Sequence, residues 1–210
     1  MSSANDSATI TIDATKFAPP QNDDWAMFNV DPLLTERVVR YHSAHRFVCA
    51  VETGTFKGNT TVGLAKLFPK VYTIEANPEF YHQAKSRFAC YPNVDALLGN
   101  SAEVLEEIVG RLQYPLFAFL DAHWHDDWPL RQELALLLAV KQPKLIMIHD
   151  FQVPGRDFGY DAYNGQSCNL DFLGDILPHD ECRYAFNHRT APQSANRGVL
   201  FIEHLLGNSG

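Results

Sequence analysis

From Arg46 onward the chain alternates between short apolar runs and stretches of helical period, and few architectures accommodate that alternation. The apolar runs fall at 47–51 (FVCAV), 71–74 (VYTI), 94–98 (VDALL), 116–120 (LFAFL) and 145–148 (LIMI). Between them the pattern predicts helices over Thr60–Phe68, Glu79–Cys90, Ala102–Leu112 and Pro129–Val140. Strand–helix alternation with short connections implies βαβ units and a parallel sheet covered on both faces. The near-continuous apolar character of the runs fits strands buried on both sides. After Asp150 the rhythm changes to a Gly-containing loop (Phe151–Ser167), a short helix (Leu170–Leu177) and two final strands, Arg183–Asn187 and Gly198–Glu203. The brief joining segment Thr190–Arg197 suits an antiparallel pair. The expectation is an α/β fold, Rossmann-like and doubly wound, with a mostly parallel seven-stranded sheet.

The chain of 210 residues fits one such domain, expected over 31–210. Residues 1–30 read as an N-terminal arm, polar over 1–24 with Pro19-Pro20 toward the end of that stretch, and Asp31-Pro32 as the cap and first residue of a helix reaching about Ala44. The segment MSSANDSATITIDATKF lacks the basic and apolar regions of a signal peptide, and no run approaches the roughly 18 apolar residues of a membrane span. A net charge of −8 argues against nucleic acid or an anionic membrane as the main partner. Cys49, Cys90, Cys168 and Cys182 show no CxxC spacing, which points to free thiols in a reducing, cytoplasmic compartment. Association with a second copy is left open.

In doubly wound sheets ligands sit at the carboxyl ends of the strands, near the point where strand order reverses. Here those positions are Glu52, Glu75, Gly99-Asn100-Ser101, Asp121 and His149-Asp150, so four of five strand ends carry a carboxylate. The first, VETGTFKGNTT, brings Glu52, Thr53, Gly54, Thr55, Gly58 and Thr60 to a strand–loop–helix junction. Gly54 permits close backbone approach, and the helix start offers free N–H groups. The spacing ExGxxxG is neither a P-loop nor a dinucleotide GxGxxG, and the same residues also make an ordinary turn. Glu75-Ala76, 21 residues beyond Gly54, ends the second strand where a carboxylate accepts hydrogen bonds from ribose hydroxyls, or else sits exposed. In GNSAEVL, Ser101 either caps the next helix or faces a purine edge; both roles are compatible.

Together VETGTFKG, YTIEANP and GNSAEVL, in that order, resemble the class I S-adenosylmethionine-dependent methyltransferases, over about Arg46 to Glu203. The resemblance implies that Glu52 and the Gly54–Gly58 loop hold the methionine portion, Glu75 with Ala76 the ribose, and Asn100-Ser101 the adenine side. The segments LDAHW and IHDF are similar to the small-molecule O-methyltransferase branch of macrocin and catechol type, which commonly places acidic groups after strands four and five. His149 stands where that branch commonly has an acidic residue.

Asp121, His123, His125, Asp126 and Asp127 follow the fourth strand, and His149-Asp150 the fifth. Adjacent strands lie about 4.8 Å apart, so Asp121 and Asp150 are near enough to share a ligand. Three readings stand. Asp121, His149 and Asp150 bind a divalent metal, Mg²⁺ by the oxygen donors or a softer ion by the imidazole. Alternatively His123 or His149 is a general base and Asp121 positions it or the cofactor. Or the histidines are structural and Asp126-Asp127 open a helix. The sulfonium already activates the methyl group, so the protein must align an acceptor hydroxyl and take its proton. The loop after Asp150 reads as a substrate lid, with Arg156, Tyr160 and Tyr163 as contacts for a small-molecule acceptor. Trp25, Trp124 and Trp128 are further candidates for an aromatic pocket.

Overall fold

Near-continuous burial of the central strands is what organises this chain. The computed structural model describes residues 27–123, 128–178 and 180–204. Helix α1 (Pro32–His45) begins at Asp31, whose side chain accepts from Leu33 N and Leu34 N, with Pro at the first helical position. Strand β1 (Cys49–Thr53) leads to α2 (Asn59–Leu67), and β2 (Lys70–Glu75) to α3 (Pro78–Arg87). Then come β3 (Val94–Leu98), α4 (Ser101–Ile108), β4 (Leu116–Leu120), α5 (Leu130–Ala139) and β5 (Lys144–Ile148). A small hairpin, β6 (Ala162–Tyr163) with β7 (Gln166–Ser167), precedes α6 (Leu170–Leu173), β8 (Arg183–Phe186) and β9 (Leu200–His204).

The main sheet has seven strands in the order β3-β2-β1-β4-β5-β9-β8. The four pairings among β1 to β5 are parallel, and β9 runs antiparallel to both β5 and β8. Strands β1, β4 and β5 are buried at every position, as the apolar runs require. Their alternation feeds two cores. Val51, Ala118 and Ile146 meet Leu105, Leu134 and Leu137 on the α4–α5 face. Ala50, Phe117 and Phe119 meet Val38, Leu64 and Phe68 on the α1–α2 face. Among the described residues no helix is long and apolar enough to cross a membrane. The four cysteines are free thiols.

Several boundaries differ from the sequence reading, each for a physical reason. Strand β1 starts two residues later than its apolar run and takes in Glu52 and Thr53, because buried hydroxyls accommodate the first of these polar groups. The long segment after Asp150 is not structureless, since it contains the β6–β7 hairpin. It is also pinned rather than free. Phe151 N donates to Gly198 O, Gly159 N to Asn196 O and Gly198 N to Gly159 O, so the β8–β9 joining segment holds it along its length. The last four residues of the expected arm belong to the domain, with Met27 and Phe28 fully buried. Trp25, Trp124, His125, Asp126 and Asp127 lie outside the described residues.

Candidate active site

Strand order reverses between β1 and β4, and a cavity of about 480 Å³ opens at their carboxyl ends. Its size is that of an ordinary small-molecule site. Of the residues expected from sequence, Gly54, Glu75, Ala76, Ser101, Asp121, His123, Asp150 and Tyr163 line it together.

The floor is backbone. Gly54 has φ +83°, and a Cβ there would lie 2.6 Å from the carbonyl oxygen of Asp121. Glu75 holds the next loop in place: Oε2 accepts from Phe56 N at 2.7 Å and Oε1 from Asn77 N at 2.8 Å. Each carboxylate oxygen has two lone-pair sites, so the group retains acceptor capacity toward a ligand. Ser101 is the first residue of α4. The cap is Asn100, whose side chain accepts from Ala102 N and Glu103 N, so the hydroxyl of Ser101 is not used as a cap.

The remaining loop residues serve this cavity from behind. Glu52 is buried away from it, and its Oε2 accepts from the Thr73 hydroxyl at 2.7 Å and from that of Thr61. Burial pushes its carboxyl up to about 8, against the pull of those two hydroxyls. Thr55 bonds to the Thr73 hydroxyl. The Thr60 hydroxyl accepts from Phe28 N at 3.1 Å. Gly58, at φ +73°, leaves room for the Phe88 ring, which a Cβ would meet at 2.6 Å. Thr53 points into the α4–α5 core. These residues build the wall and do not line the cavity.

At the chemistry end, His149 is buried with its ring edge against Phe119. Its Nδ1 stands 3.2 Å from Asp121 Oδ1 and 3.0 Å from Asp150 Oδ1. These are ion-pair distances without hydrogen-bond alignment. Burial alone would lower its pKa, but the two carboxylates outweigh that and hold it near 10. Burial likewise tends to raise Asp150, yet His149 and Arg197 bring it down to about 2. Arg197 bridges Asp150 and Asp161 through Nε and Nη2. Held in that charged state, the buried imidazole has a proton on both nitrogens and offers no lone pair to a substrate or an ion.

His123 is half-exposed on the cavity wall. Its Nδ1 lies 2.9 Å from the Tyr163 hydroxyl, which donates to Asp161 Oδ2 at 2.8 Å. Burial, then Asp161, push the Tyr163 phenol upward, so it keeps its proton. With that proton committed to Asp161, Nδ1–H of His123 donates to the phenol oxygen and Nε2 carries the lone pair. Nε2 is 3.5 Å from Asp161 Oδ2. Ligand atoms of Asp121, His123 and Asp150 also lie within 4.8 Å of one another, a set able to hold a metal ion.

The expected substrate contacts separate. Tyr163 lines the first cavity, whereas Arg156 and Tyr160 line a second one of about 540 Å³ between their loop and α6. Sequence reasoning missed Asn29, Phe56 and Phe80 on the wall. Asn29 sits in a turn where Phe28, Asn29 and Val30 all have left-handed φ of 54–62°. Phe28 secures that turn by packing edge-on against Phe119 and Phe117. Phe56 (φ 47°) and Asp150 (φ 56°) share the same strained region of backbone, and such strain gathers at functional sites. Phe56 and Phe80 form an edge-to-face pair at 4.7 Å.

No protein-family profile and no curated protein matches the chain. Solved structures do. The O-methyltransferase TomG of Streptomyces achromogenes, involved in tomaymycin synthesis and crystallised with S-adenosylmethionine, aligns at TM-score 0.62 and 16% identity, over 81% of this chain and 79% of that one. An O-methyltransferase from Bacillus cereus in complex with S-adenosylhomocysteine aligns at 0.66 and 14%, over 90% and 94%. An rRNA methylase from Streptococcus thermophilus aligns at 0.57 and 15%, over 83% and 97%. At these identities the likeness establishes the fold, which is that of the Rossmann-like methyltransferases.

Proposed function

We propose that the chain is an S-adenosylmethionine-dependent methyltransferase acting on a hydroxyl of a small molecule. The observation that carries this reading is the meeting of Gly54, Glu75, Ser101, Asp121 and His123 around one cavity at the switch point. Two similar structures, TomG and the Bacillus cereus enzyme, hold the cofactor or its product. The bare Gly54 backbone and the Glu75 acceptor fit a ligand with a close-packed tail and a ribose. The acidic chain favours a small acceptor over RNA, although the fold itself serves both.

The cofactor supplies an activated methyl group. The protein aligns the acceptor against it and shields the pair from water. His123 Nε2 takes the acceptor proton, while Tyr163 fixes the ring through Nδ1 and Asp161 balances the charge that develops. Asp150 and His149 keep Asp121 in place beneath the Gly54 loop.

A second reading is favoured by the cluster of Asp121, His123 and Asp150. These residues would hold a divalent ion, which would acidify the acceptor hydroxyl. Arg197 and His149 already engage Asp150, and that weighs toward the metal-free reading. Exhaustive chelation distinguishes the two. Turnover is expected to survive it, and loss restored by added Mg²⁺ or Mn²⁺ would establish the metal.

Glu75→Ala is expected to weaken S-adenosylhomocysteine binding by about 1.5–3 kcal/mol, the value of a charge-assisted hydrogen bond. The upper end is expected, because Glu75 also anchors Phe56 N and Asn77 N. Titration calorimetry of both proteins reads this directly, and equal affinities would remove Glu75 from the site.

A further inference from the structure

The pleat of β1 sends Glu52 to one face of the sheet and Thr53 to the other. On that second face Glu133 of α5 lies near the hydroxyls of Thr53 and of Ser101 on α4, behind the cavity wall. Glu133 is fully buried, and neither of its carboxylate oxygens has a hydrogen-bond partner among the described residues; nor has the Thr53 hydroxyl. An ionised carboxylate so placed is costly, and its neutral form is favoured. Burial pushes its pKa up to about 7, the hydroxyls of Ser101 and Thr53 oppose the rise and Asp121 adds to it. Glu133 does not line the cavity, but Ser101 and Asp121 do. It therefore stands one residue behind the surface that a ligand touches.

Electrostatic coupling is reciprocal. The Asp121 carboxylate makes Glu133 harder to ionise, so a cation seated against Asp121 must make it easier. Asp121 is the charged group acting on it among the described residues, while α4 and β1 present only the two hydroxyls.

We propose that Glu133 senses the charge of the bound cofactor: it releases a proton to solvent when the sulfonium form binds and recovers one when the neutral product remains. The inference rests on the S-adenosylmethionine reading. On transfer the S–CH₃ bond breaks, its electron pair stays on sulfur, a C–O bond forms to the acceptor, and the acceptor's proton passes to His123. Sulfur is then neutral, and Glu133 takes up a proton from solvent. The pocket thus prefers the substrate form over the product form, which favours product release.

The sign follows from linkage. Binding that lowers a pKa releases protons between the bound and free values, so affinity for the sulfonium rises with pH toward neutrality and levels off above it. Calorimetry near pH 7 in phosphate and in Tris counts the protons for S-adenosylmethionine and for S-adenosylhomocysteine. Both ligands carry the same amino and carboxylate groups, so their difference isolates sulfur. Net release of a fraction of a proton is expected for the first and none for the second. Affinity for the first rises by at most about tenfold per pH unit. Glu133→Gln is expected to abolish the release and keep the affinity for S-adenosylhomocysteine. Equal proton counts for the two ligands in the wild-type chain would overturn the inference and leave the cofactor reading intact, as would release that persists in Glu133→Gln. Failure of both ligands to bind the wild-type chain would remove the cofactor reading, and this inference with it.

Discussion

Alanine in place of His123 is expected to lower turnover by roughly 10²–10⁴-fold, the range over which a positioned general base acts. The cavity wall would lose the nitrogen that accepts the proton, while Gly54, Glu75 and Ser101 would be untouched. Affinity for S-adenosylhomocysteine should therefore hold, and the loss should appear in kcat. Tyr163→Phe removes the oxygen that orients the ring and the donor to Asp161, and a smaller drop of the same kind is expected. Equal losses of ligand affinity and turnover in His123→Ala would place the residue in binding rather than chemistry.

The second large effect is expected at Gly54. Its left-handed φ costs an L-residue roughly 1–2 kcal/mol. A Cβ there would also press on the Asp121 carbonyl oxygen and carbon at 2.6 and 2.9 Å, and overpacking of that kind costs roughly 1–3 kcal/mol. Gly54→Ala is therefore expected to lose about 2–5 kcal/mol of stability by urea unfolding, the sum of these two costs. Binding of S-adenosylhomocysteine should fall with it, since the β1 and β4 ends must separate. An unchanged unfolding midpoint would show that the two strand ends are not held in contact. Gly58→Ala makes a useful comparison. Its Cβ would meet the Phe88 ring rather than backbone, so the cost falls on packing and spares the cavity floor.

The residues that define the sheet were legible because buried parallel strands write themselves as apolar runs. LFAFL and LIMI need no tertiary information to be recognised, and Asp31-Pro32 announces its helix by cap chemistry. The strand ends then follow, and with them Glu75, Ser101, Asp121 and Asp150. Side-chain direction at those ends was not legible. Glu52 precedes Gly54 by two residues, yet the pleat turns it toward Thr61 and Thr73 and away from the cavity. His149 and His123 look alike as residues flanking strand ends. Only the meeting of three segments shows that one is buried between two carboxylates and the other stands half-exposed on the cavity wall.

Contacts between distant segments left the weakest traces. Arg197 sits in a joining turn with no local signal, and its pairing with Asp150 and Asp161 depends on how β9 returns beside β5. The turn at Phe28-Asn29-Val30 lacks the glycine that usually marks left-handed backbone, because burial of Phe28 between Phe117 and Phe119 holds it instead. Phe56 offered a hint, as an aromatic residue inside a glycine-flanked loop. Glu133 offered none, since it occupies an ordinary position in an apolar helix.

A crystal of the wild-type chain grown with S-adenosylhomocysteine puts the whole account at stake. The expected density lies along Gly54, with ribose hydroxyls on the Glu75 carboxylate, the base beside Ser101 and the sulfur turned toward Asp121 and His123. Ligand bound elsewhere, or a protein that stays ligand-free at saturating concentration with Glu75 holding only Phe56 N and Asn77 N, would contradict it.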